Sequence, residues 1–137
     1  MYYENTLIWT KAMDIADLTY DLVEFLPRDE RFGLRSQITR AATSVPANFA
    51  EGWTRETKRD KAYFIAVMHG SLSELKTHLQ ICERRKWLDA ETLAPHYERI
   101  NELSRMLGSL RKRWREELRA GNLEMGTRRR GEMKGEK

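Results

Sequence analysis

Gln37, Arg40, Ser44, Asn48, Glu51 and Arg55 follow one another at steps of three or four residues, and Ser71, Glu74 and His78 repeat that spacing further along. Such steps place each set on one face of a helix. Glu51 and Glu74 could serve as a carboxylate pair, with His78 as a base, for general acid–base work. The arginines could instead hold phosphate. In a third arrangement the two rows satisfy one another, Arg40 or Arg55 with Glu74 or Glu51, and Asn48 with a serine hydroxyl or a backbone group. The spacing favours this polar seam, because glutamate and histidine recur on helices without chemistry, whereas such networks fix register or partner choice at bundle and subunit interfaces.

No other catalytic set assembles from the sequence. One cysteine, Cys82, and three histidines give no cluster with metal-ligand spacing, and the Glu-x-x-His pair of a di-metal bundle is missing. "GLRSQ" and "HGSLS" lack the lysine and glycine spacing of a phosphate loop. The expectation is a protein with no catalytic residues, no metal and no cofactor.

Four helices must position the rows. Asn5 or Thr6 caps the first, in which Ile8, Ala12, Ile15, Leu22 and Leu26 form the apolar side, ending before Pro27; Asp14, Asp17, Asp21 and Glu24 form its solvated side. The second runs from about Glu30, with Asp29 as cap, to Gly52, with Leu34, Ile38, Ala41, Ala42, Val45 and Phe49 inward. Pro46 lies within it, and in an ordinary helix interior proline costs about 3 kcal/mol, so a bend with a geometric purpose is expected. Ala41, Ala42, Ala47 and Ala50 permit close approach. Thr54 or Thr57 caps the third helix, which carries Tyr63, Phe64, Val67, Leu72, Leu75, Leu79 and Cys82 to about Trp87, with a flat spot at Gly70 and Ser71. Asp89 caps the fourth, where Leu93, Tyr97, Ile100, Leu103, Leu107 and Leu110 keep the period through Trp114 and Leu118. With no strand pattern, residues 1–119 read as an antiparallel up-down-up-down four-helix bundle, and 120–137, where periodicity stops, as a basic flexible tail.

Charge is unevenly placed. Residues 111–137 hold ten Lys/Arg against five Asp/Glu, a net of +5, while residues 1–110 hold fifteen against sixteen, a net of −1. Arg111, Lys112, Arg113, Arg115 and Arg119, followed by Arg128, Arg129 and Arg130, form the clearest basic footprint, suited to phosphate contacts of a salt-dependent kind. Cations at a helix C-terminus also complement its dipole, the plain alternative. Of the four tryptophans, Trp114 within "RKRWRE" is the candidate for base stacking, with packing as its alternative, while Trp9, Trp53 and Trp87 read as packing residues. No run approaches the ~20 apolar residues of a membrane span. "MYYENTLIWTKAMD" lacks the pattern of a signal peptide, so a cytoplasmic protein without membrane contact is expected.

"FGLRSQITRAATSVPANFAEGWTR" followed by "FIAVMHGSLSELKTHL" resembles the four-helix-bundle family encoded by intervening sequences within large-subunit ribosomal RNA genes. The resemblance rests on Gln37, Arg40, Ala41, Ala42, Ser44, Asn48, Ala50, Glu51, Gly52, Gly70, Ser71, Glu74 and Leu75 and covers most of residues 7–115. It implies a ring-shaped homopentamer without enzymatic activity. The same superfamily holds the accessory variability determinant of diversity-generating retroelements, which implies nucleic acid and a reverse transcriptase as partners; RNA is expected ahead of DNA. The resulting expectation is a non-catalytic homo-oligomeric nucleic-acid-binding accessory protein; the competing expectation is a structural or protein-interaction module that binds no nucleic acid.

Overall fold

The computed structural model describes the backbone of residues 2–135 and the side chains of residues 2–123, 130 and 131. Among these residues there are four α-helices and no strand: α1 Leu7–Val23, α2 Leu34–Trp53, α3 Lys58–Arg84 and α4 Ala90–Gly135, with short 3-10 turns at Tyr3–Asn5 and Arg28–Glu30. Three helices start where a side chain accepts an otherwise unpaired backbone N–H. Thr6 accepts from Trp9 (3.2 Å), Thr57 from Asp60 (3.1 Å) and Asp89 from Thr92 (2.6 Å). The Thr92 contact also holds the Asp89 carboxyl below the usual range.

Helix α2 departs from expectation. It begins at Leu34 rather than near Glu30, and Asp29 does not cap it. Pro27 leaves the chain extended (φ −56°, ψ 147°), a 3-10 turn follows, and Glu30 Oε2 then accepts from the Leu34 N–H at 3.1 Å. Helix α3 ends at Arg84, short of Trp87, because Lys86 adopts a left-handed conformation (φ 63°). The Lys86 N–H then reaches the Glu83 carbonyl, and the Trp87 N–H the Cys82 carbonyl, both at 3.0 Å. That pair of bonds closes a helix in the Schellman manner. Helix α4 is longer than expected: its backbone is helical through Gly135, across the segment read as a tail. Beyond Leu118 no proline ends the helix and Arg, Leu, Glu, Met and Lys favour it, while Gly121, Gly126, Gly131 and Gly135 each oppose it by about 1 kcal/mol.

The core takes a narrow stripe from each helix. On α3 the buried residues are Ile65, Met68, Leu72, Leu75, Leu79 and Cys82, alternating steps of three and four. Tyr63 and Val67, expected inside, fall out of that phase, and Tyr63 is 64% exposed. On α4 the stripe is Leu93, Ile100, Leu103, Leu107 and Trp114. Helix α1 packs against α2 and α4, and α3 packs against α2 and α4. Side chains joining α3 and α4 pair in opposite order, His69 with Ser104, Lys76 with Asn101 and Glu83 with Tyr97. Pro46 is buried on the core side of α2, which continues through it to Trp53.

Two positions carry distinct energetic weight. A Cβ built on Gly52 would lie 2.7 Å from Phe64 Cβ and 3.4 Å from the Lys61 carbonyl, so α2 and α3 approach here only because residue 52 has no side chain. Gly52→Ala is therefore expected to destabilise the fold by about 1–3 kcal/mol, read as a lower urea midpoint. His96 is 4% exposed and donates from Nε2 to Thr19 Oγ1 at 3.0 Å, since the Thr19 hydroxyl is itself given to the Ile15 carbonyl at 2.7 Å. Its Nδ1 is buried without a partner. Burial, with Arg99 adding repulsion, lowers its pKa to about 4. The unfolded chain therefore takes up this proton first, near pH 6.5. The stability held by neutral His96 is complete above that pH and is lost as pH falls toward about 4, by on the order of 3 kcal/mol. Urea unfolding of the parent and of His96→Leu between pH 7.5 and 4.5 should show the variant losing much less.

Candidate nucleic-acid interface

The polar rows of α2 and α3 do not form a buried network within one chain. Gln37, Arg40, Glu51, Arg55 and Glu74 are exposed, and Ser44, Asn48, Ser71 and His78 are half-buried. Several of these residues are satisfied within their own helix: Ser44 donates to the Ala41 carbonyl and Asn48 to the Ser44 carbonyl, both at 2.7 Å, and Glu51 pairs with Arg55, whereas His78 Nδ1 is buried without a partner. Glu74 Oε1 lies 3.1 Å from His78 Nε2. Arg40 reaches Glu74 across the helices only at 4.0 Å, with side chains 74% and 45% exposed. The expected pairings are present, Arg40 with Glu74, Arg55 with Glu51 and Asn48 with a backbone carbonyl, but they lie at the surface of the bundle and not as a buried network inside it. A backbone carbonyl three or four residues back lies within reach of a short polar side chain on a helix, whereas a partner on the neighbouring helix need not. The rows remain as an outward face, bordered by exposed Tyr63, Val67 and Ile81.

The basic end of α4 is positioned by burial of its apolar stripe. Lys112, Arg113, Arg115, Arg119 and Arg130 are exposed, and Arg111 is half-buried. The side chains of Arg128 and Arg129 lie outside the described residues. Trp114 is 9% exposed and belongs to the core cluster, which corrects its assignment as a stacking residue: it continues the stripe of Leu107, and its ring is spent on packing. Trp9, Trp53 and Trp87 are partly buried against the same core, as expected. Glu117 is held by an ion pair to Lys58 in the first turn of α3.

One cluster was not foreseen. Between α3 and α4, His69 Nε2 lies 2.9 Å from Ser104 Oγ, and Arg111 Nη1 lies 3.1 Å from His69 Nδ1. A guanidinium only donates, so Nδ1 accepts and the ring proton sits on Nε2, given to Ser104. A histidine so arranged has no free lone pair for the serine proton, and the pair is not an activated nucleophile. Burial first, and Arg111 second, lower the His69 pKa, which keeps the ring neutral and accepting. Beside it, Leu72, Ser73, Lys76, Thr77, Gln80, Ile100, Asn101 and Ser104 line a shallow groove of about 260 Å³, across which Lys76 Nζ donates to Asn101 Oδ1 at 2.8 Å. His69, Ser73, Lys76 and Gln80 stand at helical steps in the sequence, and that row was the available signal.

A larger open cavity of about 860 Å³ lies where α1 joins α2, lined by Glu24, Leu26, Arg28, Arg31, Phe32 and Arg35. Glu24 pairs with Arg35 at 2.7 Å, and Arg31 lies over the Phe32 ring. Among the described residues no group of His, Cys, Asp and Glu could hold a metal ion, and no helix is long and apolar enough to cross a membrane. Burial pushes the Cys82 thiol up to about 11, far from a reactive thiolate.

Residues 4–109 match the family model described as 23S rRNA-intervening sequence protein. Among solved structures, a crystal structure of a protein of unknown function from the S23 ribosomal protein family of Bacteroides thetaiotaomicron superposes with a TM-score of 0.72 at 21% identity, covering 77% of this chain and 99% of the other. That likeness shows a common fold. No curated protein matches the chain.

The open polar face makes a direct prediction. Because the Arg40–Glu74 pair is exposed, Glu74→Ala should change the stability of the fold by less than about 1 kcal/mol. A thermal midpoint taken at low protein concentration would check this, and a loss of several kcal/mol would show that Glu74 is buried in the working protein.

Proposed function

The chain belongs to the 23S rRNA-intervening sequence protein family, and from that premise we propose that it is a non-catalytic, homo-oligomeric accessory protein that binds RNA through the basic end of α4. The observation that carries this reading is the shape of that helix. Past Glu117, the residue that meets the first turn of α3, α4 continues to Gly135, a further 27 Å or so at the helical rise. Lys112, Arg113, Arg115, Arg119 and Arg130 are exposed along it. A long cationic helix end suits phosphate contacts, each of which adds affinity by releasing counterions and carries no base information. With Trp114 in the core, stacking adds nothing at this end, so binding is weakly sequence-specific.

The assembly part of the proposal rests on the outward face of α2 and α3. Helices in antiparallel up-down-up-down order, supported by the opposed pairing of α3 and α4, leave Arg40, Ser44, Asn48, Glu51, Ser71, Glu74 and His78 in one stripe beside exposed Tyr63, Val67 and Ile81. A mixed polar and apolar stripe fits a second copy of the chain, and a ring of five is the number that the resemblance implies. Repetition of the basic end on every subunit would raise avidity through effective concentration. A reverse transcriptase is the protein partner proposed, and the cytoplasm the place of action. The absence of catalysis is supported by the His69 proton arrangement and by the helix-local pairing of Glu51 and Glu74.

Two measurements test the proposal. Light scattering should give the mass of an oligomer, and a monomer at micromolar concentration would refute the assembly. RNA affinity should fall steeply with salt, and replacing Arg111, Lys112, Arg113 and Arg115 with Ala should flatten the log–log slope by about 3, at ~0.7 for each single-strand phosphate that the variant no longer neutralises. A variant that binds with the parent's slope would make the basic end a solvated helix terminus, and the structural-module reading would replace this one.

A further inference from the structure

The face of α4 that lines the groove with Asn101 and Ser104 leads along the helix to the basic end, and Arg111 joins the two through His69. Asn101, Ser104, Gly108, Arg111, Arg115, Arg119 and Asn122 succeed one another at steps of three and four, so they share one face of α4. The facing row on α3 is Lys58, Ala62, Ala66, His69, Ser73, Lys76 and Gln80, again at steps of three and four. Neither row contains a carboxylate or an exposed aromatic ring. The carboxylates that reach across this pair of helices are engaged, Glu83 by the Tyr97 hydroxyl and Glu117 by Lys58, while Glu102 of α4 pairs instead with Lys11 on the α1 side.

We propose that this groove is a track for the sugar–phosphate backbone of single-stranded RNA, an inference that rests on the RNA-binding reading and gives it a path. Lys76 and Arg111 supply charge within the groove, and Arg115 and Arg119 extend it toward the helix end. Arg111 spends one of its five N–H groups on His69, which fixes the guanidinium at the groove mouth and leaves donors for phosphate. Asn101 Oδ1, Ser104 Oγ and Ser73 Oγ are already engaged by Lys76, His69 and the His69 carbonyl, but each group keeps a second hydrogen-bonding capacity, and with the exposed amide of Gln80 they can bond ribose 2′-hydroxyls. Leu72 and Ile100, both buried, lie beneath the polar rim of this groove of about 260 Å³. From Asn101 to Arg115 the track runs about 21 Å. Without an aromatic platform the bases face solvent, which makes the track tolerant of sequence.

Gly108 supplies the test, because it stands on the α4 row between Ser104 and Arg111 and a Cβ there meets nothing within 4 Å, so a longer side chain has room on that face. Gly108→Glu and Lys76→Ala are each measured by fluorescence anisotropy with a labelled single-stranded RNA, beside Ser36→Glu, which adds the same charge at an exposed position on α2. Single-stranded DNA and duplex RNA of the same sequence are run as competitors, and circular dichroism and mass confirm fold and assembly. The inference expects a loss of tenfold or more for Gly108→Glu, a several-fold loss for Lys76→Ala, less than a twofold change for Ser36→Glu, and weaker competition by DNA and duplex. Parent-like binding by both groove variants, with the Arg111, Lys112, Arg113 and Arg115 quadruple variant still defective, would overturn the track and keep the RNA-binding reading. A parent protein that binds no RNA would overturn both.

Discussion

Apolar residues spaced alternately three and four apart dictate which surfaces this protein can offer. Ile65, Met68, Leu72, Leu75, Leu79 and Cys82 turn one side of α3 inward, and Leu93, Ile100, Leu103, Leu107 and Trp114 do the same for α4. Burying these stripes is the dominant favourable term in folding. Once α3 is set in that phase, its two remaining flanks point to different neighbours. Tyr63, Val67, Gly70, Glu74 and His78 border α2, and His69, Ser73, Lys76 and Gln80 border α4. Gly52 then sets how closely α2 and α3 meet. The two polar faces are consequences of one hydrophobic register, and a shift of that register would exchange them.

Within this frame the polar groups divide by what surrounds them. His96 and Thr19 lie inside, where an unpaired Nδ1 and a depressed pKa tie stability to pH. His69 lies at the groove edge, where Arg111 fixes its tautomer. His78 sits beside Glu74 on the opposite flank of α3. The same residue type therefore serves as a core group, a positioning group and a half-buried partner of an exposed carboxylate, and none of the three is arranged as a base beside a nucleophile.

Most of the fold was readable from the chain, and the reasons for the misses are local. Four helices, their caps at Thr6, Thr57 and Asp89, and membership of the family follow from periodicity, capping chemistry and the Gln37-to-Leu75 motifs. The start of α2 was hidden because Glu30 acts from four residues upstream, and the end of α3 because a lysine occupies the left-handed position usually given to glycine. Trp114 stood in the α4 period from the start, but its charged neighbours argued for an exposed ring, and the period decides: the ring is buried. At the candidate interface, the basic residues of α4 announced themselves by charge. The groove did not, since its polar row on α3 acquires meaning only when α4 is laid beside it.

Lysine reactivity reads the proposed path of the RNA most directly. With a charge-neutralising reagent and mass-spectrometric readout, the protein is labelled alone and at saturating single-stranded RNA. The account predicts that Lys76 in the groove and Lys112 at the helix end become protected, while Lys86, at the α3–α4 turn, reacts as before. Protection of Lys86 with Lys76 and Lys112 unchanged would place the RNA elsewhere on the bundle and contradict the account.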